Sequence, residues 1–458
     1  MFSNSIDPNN FLSCSNDSAM IQAAVDEAAK TGGSVVIPRI NKRTGESVWN
    51  INSEIDLYNG STVFLDNCHL RLADDAFCNI FKNSLARTAQ ALDAGKRQYD
   101  IRILGFGNAM LDGGVHNRHV HKDNASLVAG WGIPTKSPEI LNNLMIHFQN
   151  VERVTVENIR IINHRFWGIA FHYCSNGRVS NIDFECDKNF INLDGINLRV
   201  GCHDFLIENI SGRTGDDMIA LTNLDDDISR GINMDSDIRN VFIRNIRAKL
   251  IGNHALVRLL CDKGMKIHNI QIDGVMDLSE PGEVLHRPFA AVRIGDPWYN
   301  ADESRKHTLG DMRCITIRNV TTRAQIGVYI CQSLQDAIID GLQLYGDPGI
   351  AVAFYGAHAE NAVFRNVQYG TGIKKCAELK NVVFDPVDMS CIYFHKSECD
   401  GLRIDGLTAG ESADAVFTGV DSRADIELSG LYNKYDIPFV KGDGISFKSL
   451  HNKFNNGN

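Results

Sequence analysis

A short motif in which an asparagine stands between apolar residues recurs along the chain and constrains its fold more than any other feature. The copies centre on Asn158, Asn181, Asn209, Asn245, Asn269 and Asn319. Successive copies lie between 23 residues (181 − 158) and 50 residues (319 − 269) apart, and we interpret the longest interval as two repeats. Related copies follow at Ile339–Gly341, Phe364–Val367 and Ile404–Gly406.

Repeats of this length, with short β-type runs and no helical period between them, predict stacked coils that each contain three short strands. The predicted fold is all-β, a single-stranded right-handed parallel β-helix whose coils stack about 4.8 Å apart. The recurrent asparagines are predicted to bond in a ladder at a turn, which is a structural role.

The N-terminal segment predicts one helix that covers the open apolar end of the stack. Asn16 is a candidate N-cap, and apolar residues from Ile21 to Ala28 recur at helical spacing over about residues 17–32. Strands are predicted around Ser34–Pro38, Ser61–Leu65, His69–Leu72 and Ile101–Leu104. We expect residues 1–458 to form one β-helix domain, with about 431–458 as a C-terminal cap or tail.

The composition excludes several classes of partner. The net charge is −10, and the chain has no run rich in Lys and Arg, so neither nucleic acid nor an anionic membrane surface is expected as a partner. No run of 18 or more apolar residues is present, which argues against a membrane span. Residues 1–18 are polar and do not resemble a secretory signal, so a cytoplasmic location is expected.

The twelve cysteines are scattered, without a C-x-x-C pair. Several lie in strand-like runs, namely Cys174, Cys261, Cys314 and Cys331. This pattern predicts reduced, buried thiols rather than a disulfide framework or a metal site.

The stretch from Asn192 to Asp217 carries three carboxylates in two short runs. Asp194 is followed 22 residues later (216 − 194) by Asp216 and Asp217, and each run leads into alternating apolar residues. A separation of about one coil predicts that Asp194 and Asp216 lie on neighbouring coils of one face, with backbones about 5 Å apart. Like charges that close raise the pKa of one of them, which suits the acid and base of glycosidic cleavage.

Two further residues extend this line of acids. His254 is expected on the next coil if residues 224–237 form an insertion that bulges out of the stack. Arg293 is expected one or two coils beyond it.

These residues resemble the polygalacturonases, glycoside hydrolase family 28, which are right-handed parallel β-helices. The family motifs Asn-Thr-Asp, Gly/Gln-Asp-Asp, Gly-His-Gly and Arg-Ile-Lys correspond in order to residues 192–194, 215–217, 253–255 and 293–295. An upstream Phe-Trp pair at 166–167 is similar to bacterial members. The resemblance covers about residues 17–330.

The resemblance implies a role for each matched residue. It implies that Asp216 is the general acid that protonates the leaving oxygen, and that Asp194 and Asp217 activate a water for inversion. His254 would tune the proton on the acid, and Arg293 would bind a substrate carboxylate or hydroxyl. Inversion needs carboxyl groups about 6.5–9.5 Å apart and retention about 5 Å, and the sequence leaves both geometries open.

The chain departs from the family at three motif positions. Leu193 replaces Thr, Ala255 replaces Gly, and Gly295 stands where the family has the lysine that binds the galacturonate carboxylate. Arg258 or Arg199 could replace that lysine. Because a charge-assisted contact contributes about 1.5–3 kcal/mol, we widen the expected substrates from galacturonides to other pectic or plant-derived glycosides.

Other residues near the acidic runs are candidates for binding substrate. Asn192 opens the first acidic run. Trp167 could stack on a sugar or simply pack, and His172 could reach a cleft or be structural. Trp131 and the pair Trp298 and Tyr299 could form cleft walls or pack on the surface.

No metal site and no cofactor are predicted. His116, His119 and His121 have metal-like spacing, but no carboxylate or cysteine completes the set, so a loop is expected. The acidic residues Asp225, Asp226, Asp227, Asp235 and Asp237 lack the glycine-marked spacing of a calcium loop and are expected to be solvated.

The sequence leaves three alternative functions open. The favoured one is an inverting hydrolase that acts on oligosaccharides, with action at chain ends expected for an unsecreted enzyme. A β-helix lyase would need a basic residue and usually calcium at the site, and a non-catalytic glycan-binding β-helix would not need the aspartates. The sugar, the linkage, endo or exo action and the oligomeric state are not determined by the sequence.

Overall fold

The computed structural model describes residues 4–451 except for 75, 115–139, 188–191, 226–230, 252–253, 281–287, 301, 303–304, 307, 347–348, 370–388, 412, 434 and 436. The chain divides into two compact units. The N-terminal unit contains Met1–Ala220 and Leu224–Ile238, and the C-terminal unit contains Leu221–Asn223 and Arg239–Asn458.

The N-terminal unit begins with β1 (Ser5–Ile6), a 3-10 turn (Pro8–Phe11), and helix α1 (Asp17–Thr31). Its strands then run β2 (Ser34–Pro38), β3 (Val48–Ile51), β4 (Ile55–Leu57), β5 (Thr62–Asp66), β6 (His69–Leu72), β7 (Phe81–Asn83), β8 (Gln98–Phe106), β9 (Met110–Asp112), β10 (Ile146–Gln149), β11 (Val151–Ile162), β12 (Ile169–His172), β13 (Ser175–Glu185), β14 (Ile196–Leu198) and β15 (His203–Thr214). Short 3-10 turns lie at Ala89–Leu92, Ala94–Lys96 and Ile140–Asn142.

The division between the units falls within β16 (Ile219–Asn223) and at the start of β17 (Ile238–Leu250). The C-terminal unit continues with β18 (Ala255–Cys261), β19 (Ile267–Asp277), β20 (Ala290–Ile294), helix α2 (Pro297–Asn300), β21 (Met312–Thr322), β22 (Ile326–Ile330), β23 (Leu334–Leu344), β24 (Ile350–Tyr355), β25 (His358–Tyr369), β26 (Ser390–His395), β27 (Glu398–Thr408), β28 (Ala415–Val420), β29 (Arg423–Tyr432), β30 (Val440–Gly442) and β31 (Ile445–His451).

Each unit is a stack of parallel coils, and the fold is the predicted right-handed parallel β-helix. In the regular part of both units each coil contains one long strand and one short strand. Long strands of successive coils are hydrogen-bonded to each other in parallel, and so are the short strands. In the long strands apolar side chains repeat in register, with Val156 opposite Val179 and Val179 opposite Ile207. All three are buried, so stacking the coils builds one apolar column inside the unit.

The recurrent asparagines form the predicted ladder. Asn181 donates to the Asn158 amide oxygen at 2.8 Å, and Asn209 donates to Asn181 at 2.9 Å. All three have positive φ, between 55° and 59°. Asparagine tolerates this left-handed conformation, and its side-chain amide then bonds to the neighbouring coil. The long strand therefore bends at this asparagine. Three short strands per coil were predicted, and one bent long strand takes the place of two of them.

One copy of the motif was assigned to the wrong bend. Asn269 does not continue the Asn245 column, because it donates to Asn240 at 3.2 Å. The position facing Asn245 is Gly274, five residues later, at φ 79°. Glycine adopts positive φ at least as readily as asparagine. An asparagine in the sequence therefore does not show which of the two bends of a long strand it occupies.

The interval of 50 residues between Asn269 and Asn319 is one coil rather than two. Strand β19 pairs directly with β21, with no coil between them. The extra length lies in the connections around β20 and α2. The prediction of two coils was therefore wrong, because a long connection and an additional coil lengthen the interval in the same way.

Helix α1 confirms the sequence prediction. The Asn16 side chain accepts from the Ala19 N–H at 2.8 Å, and the helix ends at Gly32, which is left-handed at φ 69°. Its buried face includes Ile21, Ala24 and Val25. In the region expected to be a C-terminal cap or tail, β30 and β31 pair with the preceding coil.

The cysteines that the structure describes are free thiols. Cys174, Cys261 and Cys331 are buried as predicted, whereas Cys314 is exposed. Over the described part of the chain, the structure has no helix with the length and apolar character needed to cross a membrane.

Candidate active site

The three aspartates of the N-terminal unit lie on adjacent coils. Ile196 donates its N–H to the Met218 carbonyl, just as Ile169 donates to Gly195 where Ile169 pairs with Ile196. Ile196 is therefore opposite Ile219. Counting back two residues on each coil, Asp194 lies opposite Asp217, whereas the spacing in the sequence had placed Asp216 there.

All three carboxylates are buried, with exposed fractions of 2% for Asp194, 6% for Asp216 and 0% for Asp217. Removing a carboxylate from water is costly unless hydrogen bonds or charges compensate. Three of them within two neighbouring coils, whose backbones are about 4.8 Å apart, are therefore a costly arrangement for a purely structural region.

Backbone donors hold Asp216 in a fixed orientation. Its Oδ2 accepts the Asn192 N–H at 2.6 Å, and its Oδ1 accepts the Asp217 N–H at 2.8 Å. The hydroxyl of Thr214 donates to the Asp216 carbonyl at 2.7 Å. Asn192, a predicted substrate-binding residue, thus contacts the site through its main chain.

Asp194 belongs to a second network on the short strand that follows it. The Asn197 amide donates to Asp194 Oδ2 at 3.0 Å, and Arg199 donates to the Asn197 oxygen at 3.4 Å. The Arg199 guanidinium lies over the Trp167 ring, 4.4 Å from its centroid. Both Arg199 and Trp167 are 1% exposed, so Arg199 is a buried support rather than a residue facing solvent.

Trp167 packs in a cluster with Leu144, Phe166 and Ala170. The contacts that the structure describes for Trp167 are this packing and the contact with the Arg199 guanidinium, and a role as a sugar platform stays a prediction.

His172 lies on the coil before Asp194 and pairs with a second buried histidine. Its Nδ1 is 3.2 Å from His147 Nε2, and both rings are fully buried. Burial holds the pKa of His147 well below 6.5, and the charges of His172, Arg87 and Lys82 lower it further. His147 is therefore neutral in the folded protein at neutral pH.

The free energy of unfolding is expected to fall as the pH drops below about 6.5, because the unfolded chain then binds a proton at residue 147 that the folded chain does not. The contribution of neutral His147 to the free energy of unfolding is unchanged above that pH, and it becomes less favourable as the pH falls toward the lowered pKa of His147 in the folded state. Urea titrations at a series of pH values should show a shallower acid dependence for His147→Gln than for wild type. Equal slopes would contradict this account.

In the C-terminal unit the predicted arginines lie on neighbouring short strands in one register. Arg258 is opposite Arg293, and Arg293 is opposite Tyr329. Arg293 forms an ion pair with Asp296 at 2.8 Å, and Arg258 donates to the Thr222 hydroxyl at 3.3 Å. This column of cationic and phenolic groups is largely buried and suits binding of a polar ligand.

His254 immediately precedes β18 and is half-buried. Its carbonyl accepts the Phe289 N–H at 2.8 Å, which ties it to the coil that carries Arg293. The roles proposed for His254, Arg258 and Arg293 stay predictions from the sequence.

Gly295, where the resemblance implies a lysine, has a conformation and surroundings that disfavour any side chain. Its φ is +91°, and a Cβ built on it would lie 2.3 Å from Cγ of Gln332. The Gln332 side chain, from the next coil, fills the space that a residue 295 side chain would enter. The packing of two neighbouring coils therefore favours glycine at position 295.

Replacing Gly295 by Ala is expected to destabilise the C-terminal unit by roughly 1–3 kcal/mol, because the left-handed backbone and the clash with Gln332 both oppose a Cβ. Chemical denaturation should show a lower midpoint. Gly264→Ala is the matched control, since Gly264 also has positive φ, at 77°, but no atom within 4 Å of a built Cβ. A loss no greater than the control's would show that Gln332 does not fill this space.

Several candidates lie outside the described residues: His116, His119, His121, Trp131, Asp226, Asp227 and the side chain of Trp298. Tyr299 is described, and the Arg305 guanidinium lies 4.6 Å from its ring centroid.

Three residues of these contacts were not predicted from the sequence, namely Asn197, His147 and Gln332. Asn197 could have been found from strand alternation, since it is two residues before Arg199 and therefore lies on the same face of that short run. His147 is 25 residues before His172, about one coil, and that spacing is a usable signal. Gln332 carried no signal, because its partner Gly295 is distant in sequence.

No family model matches this sequence, and no curated protein matches it. Solved structures do match in fold. One is a variant of the tailspike protein of E. coli bacteriophage HK620 in complex with a pentasaccharide. Its sequence is 12% identical and its TM-score is 0.57, and the match covers 97% of this chain and 78% of that one. The Yersinia enterocolitica family 28 exopolygalacturonase is 14% identical with a TM-score of 0.47, over 97% and 77%. The Aspergillus tubingensis endo-xylogalacturonan hydrolase is 13% identical with a TM-score of 0.46, over 99% and 96%.

Proposed function

We propose that this parallel β-helix is an inverting glycoside hydrolase that acts on pectic or other plant-derived oligosaccharides. The observation that carries the proposal is the set of three buried carboxylates on two adjacent coils, Asp194 opposite Asp217 with Asp216 beside them. Glycosidic cleavage needs one carboxyl group to donate a proton and another to activate water, and this set can supply both.

In the proposed mechanism Asp216 donates its proton to the leaving oxygen. The N–H groups of Asn192 and Asp217 both point at its oxygens, so they stabilise the carboxylate that remains after the proton has left. In the same step Asp194, oriented by Asn197, and Asp217 act as the base that takes a proton from the water, whose oxygen bonds to the anomeric carbon as the bond to the leaving oxygen breaks. The assignment of acid and base follows the family resemblance.

The family resemblance also gives roles to residues of the C-terminal unit. In the proposal Arg293 binds a substrate carboxylate or hydroxyl, with Arg258 as a second cation, and His254 adjusts the proton on the acid. Asn192, Trp167 and His172 complete the proposed binding set. An oligosaccharide ligand is in line with the pentasaccharide held by the tailspike variant, which has the same fold.

The test is to incubate the protein with a panel of pectic and other plant oligosaccharides and to analyse the products by chromatography and ultraviolet absorbance. New reducing ends without an unsaturated product would support hydrolysis. An ultraviolet-absorbing product would indicate a lyase. Binding without turnover by the wild-type chain would favour a non-catalytic glycan-binding protein.

Two finer parts of the proposal have separate tests. Proton NMR of the first product formed would show inverted anomeric configuration if the mechanism is inverting, and unchanged configuration if it is retaining. Action at chain ends predicts single sugars or short units released from oligomers. Robust cleavage of long polymer with no cleavage of oligomers would contradict it.

We also propose a cytoplasmic location. The support is the set of free, mostly buried thiols among the described cysteines, which suits a reducing compartment. Cell fractionation with an antibody against the protein would test it, and recovery in the extracellular fraction would contradict it.

A further inference from the structure

Arg293, the residue proposed to bind substrate, is held by a carboxylate that lies just beyond its own strand. Its guanidinium is 2.8 Å from Asp296, three residues later. The two side chains are 11% and 10% exposed, so the pair is largely removed from water but not closed off from it. The guanidinium also lies over the Phe289 ring, 5.9 Å from the ring centroid. These contacts fix the position of the guanidinium before any ligand binds.

The carboxylate beside the guanidinium changes which ligand group can bind there. The charge of Asp296 offsets that of Arg293, so an anionic ligand group gains less from the cation and is repelled by the carboxylate. A sugar hydroxyl suits both partners, because it can donate its hydrogen to Asp296 while its oxygen accepts from Arg293. The ion pair therefore favours a neutral ligand over an anionic one.

Gln332 on the next coil has the same preference. Its Nε2 donates to the Cys261 carbonyl at 3.0 Å, which fixes the orientation of the amide. Its Oε1 is buried and has no hydrogen-bond partner among the residues that the structure describes. An ionised carboxylate has no hydrogen to donate to this oxygen, whereas a hydroxyl has one. Because a buried acceptor without a donor is costly, a ligand hydroxyl at this position would be stabilising.

The packing of two neighbouring coils places Gln332 beside the ion pair. Strands β20 and β22 pair in parallel, with Ile294 opposite Ile330. Two residues further along each coil, Asp296 therefore lies opposite Gln332. The Gln332 side chain packs over Gly295, where a built Cβ would lie 2.3 Å from its Cγ. One coil thus supplies the ion pair, and the next coil supplies the acceptor.

We propose that Arg293, Asp296 and Gln332 form a site that binds a neutral glycosyl unit through its hydroxyls and selects against a sugar that carries a carboxylate. The inference rests on the proposed function and narrows its substrate class. One hydroxyl bridges Asp296 and Arg293, and a second hydroxyl donates to Gln332. Asp296 and Gln332 are in this account the residues that determine specificity.

The glycine at position 295 belongs to the same specificity. The lysine that the resemblance implies at this position would supply a cation for a sugar carboxylate. Here the space over Gly295 holds a neutral amide whose oxygen needs a hydrogen donor. The lost cation and the added acceptor both favour a neutral sugar.

The test compares two ligands that differ only in the acidic group. One is an oligogalacturonate, and the other is the same oligomer after chemical reduction of its carboxylates to primary alcohols. Binding to the full chain carrying Asp216→Asn is measured by calorimetry, so that cleavage does not consume the ligand. The reduced oligomer is expected to bind about 10-fold more tightly than the acidic one, because only the acidic one places a like charge beside Asp296.

Two substitutions in the Asp216→Asn chain separate the contributions. Asp296→Asn removes the negative charge beside Arg293, so binding of the acidic oligomer should strengthen about 10-fold. Binding of the reduced oligomer should weaken about 5-fold, because its hydroxyl loses a charge-assisted hydrogen bond. Gln332→Leu removes the acceptor and should weaken binding of the reduced oligomer about 10-fold.

Asp74→Asn is the matched control for Asp296→Asn. Asp74 also pairs with an arginine three residues away, Arg71, but its side chain is 48% exposed and belongs to the N-terminal unit. This substitution should leave the binding of both oligomers unchanged. Circular dichroism of each variant confirms that it is folded.

A preference for the reduced oligomer that Asp296→Asn reverses or narrows, and that Asp74→Asn leaves unchanged, would establish the site. Tighter binding of the acidic oligomer would overturn the proposal. Lys263, which lines a groove together with Gln332, would be the first residue to replace in that case. The same preference in Asp296→Asn as in its parent, or binding of neither oligomer, would overturn the proposal as well.

This specificity and the proposed hydrolase can fail independently. Hydrolysis of the acidic oligomer by wild type, with the reduced oligomer left intact, would contradict the specificity and support the hydrolase. Binding of the reduced oligomer that depends on Asp296 and Gln332, by a wild-type chain that cleaves nothing, would do the opposite.

Discussion

Replacing Asp216 by Asn is expected to lower the rate of glycoside hydrolysis about 10²–10⁴-fold, the contribution typical of a positioned general acid. The amide has nearly the same shape but cannot give the proton. One backbone donor, from Asn192 or Asp217, would also meet an NH₂ group instead of an oxygen. The measurement is kcat on a cleaved oligosaccharide, with circular dichroism to confirm folding.

The leaving group distinguishes the acid from the base. An aryl glycoside whose phenol leaves without protonation should largely restore the rate of Asp216→Asn, but not that of Asp194→Asn or Asp217→Asn, which lack the base. Asp183→Asn is a matched control, because Asp183 is a half-exposed aspartate on β13 that pairs with Arg160. If Asp194→Asn were the variant restored by the aryl substrate, the roles of acid and base would be exchanged.

Replacing Trp167 by Ala is expected to destabilise the N-terminal unit by about 3–5 kcal/mol, the usual cost of removing a fully buried large aromatic side chain. The substitution empties the cluster around Phe166 and removes the ring beneath the Arg199 guanidinium. Denaturant unfolding followed by fluorescence and circular dichroism would measure the loss.

Trp167→Phe separates packing from sugar stacking. Phenylalanine keeps most of the buried area, so stability should fall by a smaller amount, and a change confined to stability would assign Trp167 to the core. A large rise in KM at nearly unchanged stability would instead support the sugar platform that the sequence suggested. Tyr99→Ala serves as a control, since Tyr99 is 43% exposed and lies beneath Arg153 on the surface.

The fold was predictable because its signals are local. An asparagine at a bend adopts positive φ and can bond to the next coil, so the motif recurs along the sequence wherever asparagine occupies the bend. The phase of the bends was less predictable, since Gly274 does at one coil what Asn245 and Asn319 do at others. Only the register of paired strands resolves which residue occupies which column.

The proximity of the three candidate carboxylates was predictable from the sequence, and their register was less so. The acidic runs identified Asp194, Asp216 and Asp217, but the turn before each short strand sets the register. A shift of one residue was enough to bring Asp217 rather than Asp216 opposite Asp194. The packing of Gln332 over Gly295 joins residues on different coils, and no pattern within one repeat encodes it.

We propose that these three carboxylates catalyse the hydrolysis of a glycosidic bond. The most direct test incubates wild type and Asp216→Asn with the oligosaccharide panel in water enriched in heavy oxygen and analyses the products by mass spectrometry. The account predicts one heavy oxygen at each new reducing end for wild type, and a greatly reduced yield for the variant. Bond cleavage without the label, or equal labelled yields from both proteins, would contradict it.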